Sequence, residues 1–368
     1  MIRADVCVIG GGPSGAAAAL TLARYTKHHV LLIESSHYET PRVGETVSAG
    51  IVPLLAYLGA ETVLADDVTL PAFGTAGAWG SDQLNERDFI YTGRGEGLHL
   101  DRRRFDQALA ACLKTFGSTP HTGAQVRELT RQDDGWTLLL EGPHGAEQVT
   151  ATVIVDATGR QARIARRLGA ERVVTDRLVG LVCHLELPEG PAVRTTLVEA
   201  VPEGWWYTAP LPHGQAVAAL MTDADLLRGL GLENAGDFLT KLCATRHLAV
   251  RLAGARPRGE PRAFPAESHV LSQPCGPGWV AAGDAACAFD PLASLGIGYA
   301  LTSGIQAARI ADEWLRGSDS LALAYPDDIA RHVAVHSAQS REMYAAEHRW
   351  PAVPFWSRRQ RGSTLSGP

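Results

Sequence analysis

Gly10-Gly11-Gly12-Pro13-Ser14-Gly15 spaces its glycines as G-x-G-x-x-G, and Glu34 follows Gly15 by nineteen positions. That spacing suits a pyrophosphate. Gly10 permits a tight turn, Gly12 lets backbone N–H groups approach the phosphates with no Cβ in the way, and Gly15 lets the following helix pack closely on the strand before it. The N-terminus of the helix that follows offers unpaired N–H groups and a positive dipole end, worth about 0.3–1 kcal/mol to an anion before direct hydrogen bonds, and Pro13 and Ser14 join the glycines as cofactor-contact candidates. Glu34 can accept hydrogen bonds from both ribose hydroxyls, and its charge repels a 2′-phosphate. The loop therefore prefers FAD or NAD.

Two later segments select FAD. Val153-Ile154-Val155 runs into Asp156-Ala157-Thr158-Gly159, and Trp279-Val280-Ala281-Ala282 runs into Gly283-Asp284-Ala285-Ala286. Three glycine-bearing strand ends, with an aspartate after the last, suit an extended FAD better than a nicotinamide-only domain. The turn Asp290-Pro291-Leu292-Ala293-Ser294-Leu295-Gly296-Ile297-Gly298 then leads into a helix. This turn, with Pro291, Gly296 and Ile297 as its cofactor-contact candidates, would aim the N–H groups and positive dipole of the helix start at what lies before it, which in a flavoprotein is the N1–C2=O edge that becomes anionic on reduction. Val126 is a further cofactor-contact candidate. No second strand, G-x-G-x-x-G and helix unit occurs, so a dedicated NAD(P)H domain is not expected. The reductant, NAD(P)H or a reduced flavin, stays open.

Candidates for touching substrate lie elsewhere. Leu70 to Leu98 holds Phe73, Trp79, Phe89 and Tyr91, while Arg177 to His269 holds Trp205-Trp206-Tyr207. Adjacent tryptophans on a strand face opposite ways, so at most one of Trp205 and Trp206 points into a given pocket. An aromatic box suits a flat, electron-rich substrate through offset stacking. Glu45 joins the pocket candidates, as does His184, which is either an acid or base or else a satisfied core or surface histidine. No catalytic residue is assigned.

The elements that must position these residues show in the patterning. Asp5–Ile9, Val30–Ile33 and Val153–Val155 read as buried strands. Ala16–Tyr25 and Tyr299–Leu315 read as helices, and Asp101 as the N-cap of another. The spacing predicts an α/β, Rossmann-like fold, and the combination of motifs resembles the flavoprotein aromatic hydroxylases and their relatives, which implies an FAD-binding domain of the aromatic-hydroxylase and glutathione-reductase type with an inserted sheet-rich substrate domain. Residues 1–69, 99–176 and 270–340 would form the first, 70–98 and 177–269 the second, and 341–368 a helix end and tail. Trp350-Pro351-Ala352-Val353-Pro354-Phe355-Trp356 with Arg358, Arg359 and Arg361 reads as a solvated tail, or else as a docking patch for a partner protein.

The 368 residues are 45% hydrophobic and 20% charged, with a formal net charge of −6. That balance argues against nucleic acid or an anionic membrane as the main partner. No apolar stretch approaches the about 20 residues of a membrane span, so a cytoplasmic protein is expected. The six cysteines lack ligand or framework spacing, and neither metal nor disulfide is expected. Lysine occurs only at Lys27, Lys114 and Lys241.

Four segments together point to a narrower group: Pro41-Arg42-Val43-Gly44-Glu45-Thr46, Ala78-Trp79-Gly80-Ser81, His99-Leu100-Asp101-Arg102 with Phe105-Asp106, and Gly283-Asp284 with Asp290-Pro291. The chain resembles the tryptophan-halogenase-like flavoproteins, and within them the LodB-like maturation flavoproteins that accompany quinone-cofactor amino-acid oxidases. The resemblance implies that Asp284 contacts the ribityl or phosphate portion of FAD, Arg102 the phosphates or ribityl chain, and Arg42 the adenosine half. It also implies monooxygenation of a tryptophan- or indole-like group on a peptide or partner protein, through a flavin C4a-hydroperoxide. The oligomeric state stays open. Halogenation is the neighbouring chemistry, but the halogenases relay hypohalous acid through a lysine, and none occurs from His28 to Leu113. Their W-x-W-x-I-P stretch reads here Trp205-Trp206-Tyr207-Thr208-Ala209-Pro210. An isoprenoid reductase with a lipid tunnel would share the Gly-Asp and Asp-Pro-Leu segments, and a non-enzymatic flavin-binding chaperone would share the cofactor motifs.

Overall fold

Ile2–Ile9 lies at the centre of the first sheet, paired in parallel with Val30–Glu34 on one side and Gly145–Asp156 on the other. Gly145–Asp156 pairs in parallel with Trp279–Ala281. Val6, Cys7 and Val8 are successively buried without alternation, as a central parallel strand covered on both faces requires. Ile9 stands opposite both Ile33 and Asp156, so these strands end at one level and their carboxyl ends open on the same space. The computed structural model describes residues 1–89, 95–143, 145–190 and 193–360; Tyr91, Arg361 and the last residues of the chain lie outside the described residues.

Helix Pro13–Tyr25 covers one face of this sheet and packs along Gly296–Leu315. The approach is close enough to exclude side chains. A Cβ on Gly15 would fall 1.8 Å from the Gly10 carbonyl oxygen, and one on Gly304 2.1 Å from that of Ser14. An antiparallel hairpin, Gln125–Gln132 and Gly135–Gly142, extends the sheet from Gly145–Asp156.

The second sheet is antiparallel at its core. Leu178–Glu186, Gln215–Asp223, Gly204–Leu211 and Thr195–Val201 follow one another, and Gly74–Ala78 then adds in parallel beside Thr195–Val201. Its two faces carry separate apolar layers. One contains Trp206, Leu181 and Leu220 beneath helix Ala235–Cys243; the other contains Trp205, Val182, Ala219 and Met221. Two short three-stranded sheets, one of them Thr46–Val47, Gly97–Leu100 and Thr69–Ala72, complete the architecture.

The C-terminal region departs from both sequence readings. Helix Ser320–Ala345 is followed by a second, Pro354–Gln360, in which Phe355 and Trp356 are fully buried. The Trp356 Nε1–H donates to the Val201 carbonyl at 2.9 Å. Arg358 pairs with Asp223 and Asp225, and Arg359 with Asp223. Through Gln360 the segment is thus neither a solvated tail nor an exposed docking patch, because its aromatics fill the face of the second sheet that carries Trp205. Among the described residues, no helix is long and apolar enough to cross a membrane.

Candidate functional site

The carboxyl ends of the parallel strands and one face of the second sheet enclose a cavity of about 570 Å³, within the usual range of small-molecule and cofactor sites. On the side of the first sheet, Gly10, Gly12, Pro13, Ser14, Glu34, Arg42, Arg102 and Val126 line it. Asp284, Pro291, Gly296 and Ile297 line it from the late strand and the helix after it. Gly15 and Gly283 stand behind this lining: Gly15 gives the helix its close contact, and the Gly283 N–H donates to Ser303 Oγ at 2.8 Å.

Local geometry follows the residue types. Gly10 has φ +110°, and a Cβ there would meet the Ala157 carbonyl oxygen at 2.1 Å. A Cβ on Gly12 would instead project into open space, with the Arg42 guanidinium at 3.9 Å as its nearest neighbour. Glu34 is already engaged: Oε2 accepts from the Gly11 N–H at 2.7 Å and Oε1 from the Ser36 N–H at 2.9 Å. It thereby holds the glycine loop shut as well as facing the cavity. Asp101 caps helix Arg102–Ala111, accepting from the Arg104 N–H at 3.1 Å. That start delivers Arg102 and Asp106 to the cavity wall.

Asp106 is fully buried between two arginines. Arg102 Nε and Nη2 each reach it at 3.1 Å, and Arg42 Nη1 at 2.9 Å. Arg102 also donates to the carbonyls of Val43 and Gly44, while the Arg42 guanidinium stacks over Tyr38. On the far side, Arg160 Nε lies 3.3 Å from Asp284 and Arg160 Nη1 donates to the Glu267 carbonyl at 2.6 Å. Asp156 organises the turn between them, its carboxylate accepting from the N–H groups of Thr158, Ile164 and Ala165. A space lined by a glycine loop, a helix N-terminus and fixed guanidinium groups suits a dinucleotide.

The opposite wall is the second sheet. Gly180, Val182, Trp205, Tyr207, Val217, Ala219 and Met221 present one face, joined by Phe264. Trp205 lines the cavity and Trp206 does not. Strand alternation turns Trp206 to the other side, where its ring meets Phe238 edge-on at 5.1 Å. Its candidacy as a pocket residue is therefore corrected. Trp79 likewise stands outside the lining, its ring 6.5 Å from Trp205 and 5.3 Å from Trp356, with Nε1–H bonded to the Met343 carbonyl at 2.7 Å. It buttresses Trp205. His184 shares the strand face of Gly180 and Val182 but falls beyond the lining, and burial lowers its pKa.

Glu45 does line the cavity, 4% exposed, and its Oε1 has no hydrogen-bond partner. Burial pushes its carboxyl up to about 7, against the opposing pull of the Arg102 charge and a hydrogen bond with Tyr207. Beside it, Thr46 Oγ1 lies 3.0 Å from the Tyr207 hydroxyl, 3.0 Å from His99 Nδ1 and 3.2 Å from Thr196 Oγ1. Burial lowers His99 to about 4 and, with the Glu45 charge, holds the Tyr207 hydroxyl protonated.

Tyr344, behind the lining, is a supporting residue that sequence reasoning missed. Its hydroxyl donates to Asp290 Oδ2 at 2.7 Å and accepts from Trp205 Nε1 at 3.2 Å. It thus ties the aromatic wall to the turn Asp290–Ser294, whose Asp290 Oδ1 accepts from the Leu292 N–H. Nothing local marks Tyr344, which sits on a helix far along the chain. Tyr207 was legible, two positions beyond Trp205 and so on the same strand face.

A family described as FAD dependent oxidoreductase matches residues 5–180. The chain is 32% identical over 367 residues to LodB of Marinomonas mediterranea, named as an FAD-dependent oxidoreductase, covering 98% of each chain. Among solved structures, the peptidyl tryptophan dihydroxylase QhpG, described as essential for tryptophylquinone cofactor biogenesis, is 28% identical with a TM-score of 0.78. The match covers 97% of this chain and 79% of that one. The flavin-dependent halogenase CmlS superposes with a TM-score of 0.87 at 24% identity, over 98% of this chain and 68% of CmlS.

Proposed function

The chain belongs to the LodB-like FAD-dependent oxidoreductases, and on that premise we propose that it hydroxylates a tryptophan-like ring carried by a peptide or partner protein. The observation that carries this reading is the composition of the cavity: an aromatic wall of Trp205 and Tyr207 opposite the glycine loop, with no lysine in the lining. Lys27 and Lys114 are exposed and Lys241 pairs with Glu203, so none is placed to carry an oxidised halide. The dihydroxylation of peptidyl tryptophan named for QhpG supports the substrate class.

Gly10, Gly12, Pro13 and Ser14 would hold the pyrophosphate, Glu34 and Arg42 the adenosine half, Arg102 and Asp284 the ribityl chain, and Pro291, Gly296 and Ile297 the isoalloxazine edge. When bound, FAD supplies the two-electron chemistry that activates oxygen. The protein does the rest. Trp205 and Tyr207 orient the ring by offset stacking, and Val182, Val217, Ala219, Met221 and Phe264 keep water from the reacting space. Residues 177–269, which supply that wall, act on this reading together with 70–98 as the substrate unit, and 1–69, 99–176 and 270–340 as the cofactor unit.

The test is mass spectrometry of a co-expressed partner after incubation with reduced FAD-loaded protein and oxygen. One or two oxygen atoms added at a tryptophan support the reading. A halogen added in the presence of halide replaces it with halogenation, and an unmodified partner overturns it.

A further inference from the structure

We propose that Glu45 is the base that takes the proton displaced from the substrate ring when oxygen is added, with Tyr207 and Thr46 fixing its position. The inference rests on the hydroxylation proposed for this site and names the residue that reaction lacks.

The cavity holds several carboxylates, and all but one are committed. Glu34 accepts from Gly11 and Ser36, Asp106 from Arg42 and Arg102, and Asp290 from Leu292 and Tyr344, while Asp284 faces Arg160. Glu45 alone among these presents an oxygen, Oε1, that is shut from solvent and bonded to nothing. A buried polar atom without a partner is costly unless it serves a ligand or a reaction. Arg102 attracts Glu45 electrostatically, but its donors go to Asp106 and to the carbonyls of Val43 and Gly44.

Placement agrees with that role. Glu45 lies between Gly44, which Arg102 anchors on the cofactor side, and Thr46, which hydrogen-bonds Tyr207 on the aromatic wall. The groups facing it are Arg102 from helix Arg102–Ala111 and Tyr207 from strand Gly204–Leu211, with His99 behind Thr46. None of these competes as a base. Arg102 is cationic, Tyr207 keeps its proton, and His99 is fully buried outside the cavity lining. A carboxyl that titrates close to neutrality accepts a proton and returns it to solvent with little penalty either way.

The balance is that of a monooxygenation. A C–O bond forms at a ring carbon as the O–O bond of dioxygen breaks, and the second oxygen leaves as water. Reduced flavin provides the two electrons. The substituted carbon then releases its proton, and the C–H electron pair restores the aromatic ring; Glu45 receives that proton.

The experiment compares wild type, Glu45→Gln and Glu45→Asp as FAD-loaded proteins with the modified partner, and adds a carboxyl titration of glutamate-labelled protein by carbon NMR, which needs no turnover. The expectation is a Glu carboxyl titrating near 7 in wild type and missing from Glu45→Gln. Product formation should fall by about 10²-fold in Glu45→Gln at unchanged FAD content, recover in part in Glu45→Asp, and lose the pH step seen in wild type. Equal product yield and pH profile in Glu45→Gln overturn the inference while leaving the hydroxylation reading intact. Failure of wild type to oxygenate its partner overturns both.

Discussion

Glu45 and His99 are joined through Thr46 and Tyr207, yet burial moves them in opposite senses. Desolvation disfavours whichever form is charged, so the carboxyl rises to about 7 and the imidazole falls to about 4. Their effects on stability oppose one another. The folded state prefers neutral Glu45, a contribution present below the ordinary carboxyl value of 4.5 and lost as pH rises through about 7. It also prefers neutral His99, a contribution present above 6.5 and lost as pH falls through about 4. Denaturant unfolding across this range should show Glu45→Gln gaining stability relative to wild type as pH rises from 4.5 to beyond 7, by roughly 3 kcal/mol. A constant difference would mean that Glu45 titrates in the fold as it does in the unfolded chain. At this scale the sequence was informative about types and mute about states. It marked Glu45 as a pocket candidate, but a free oxygen is a property of what surrounds it.

Among the elements, the glycine loop and its flanking strand and helix were legible because their determinants are local. Val6-Cys7-Val8-Ile9, then Gly10, then Pro13 encode strand, turn and helix start within a dozen residues. The opposed faces of Trp205 and Trp206 were legible for the same reason, although which face meets the cavity was not. The C-terminal helix Pro354–Gln360 was illegible. Its proline-broken, arginine-rich sequence looks solvated, and only the waiting acidic pair Asp223 and Asp225 and the aromatic layer around Trp205 make it fold inward. Trp356→Ala should therefore cost about 3–5 kcal/mol, read as a lower thermal midpoint. Substitution at a frayed end would cost close to nothing.

Over the whole molecule, two sheets with unlike patterning share one cavity. The parallel sheet contributes strand ends and charge; the antiparallel sheet contributes an apolar and aromatic face. A ligand held between them should stabilise both. Saturating FAD at about a hundred times its dissociation constant should add about 2.7 kcal/mol to the unfolding free energy. Gly12→Ala should remove that increment without destabilising the apoprotein, since Gly12 has an ordinary φ of −73° and its Cβ would enter the ligand space. A thermal shift retained in Gly12→Ala would place the cofactor away from this loop. By itself the sequence determined the FAD loop, the strand alternation and the lack of any lysine from His28 to Leu113, all of which depend on residue type and short-range spacing. Only the tertiary structure decided that Tyr344 braces Trp205 and Asp290, that Trp356 backs the aromatic wall, and that Glu45 keeps an unspent oxygen. Those are contacts between distant parts of the chain, and burial, which sets both their energy and their protonation, exists only once the chain has closed on itself.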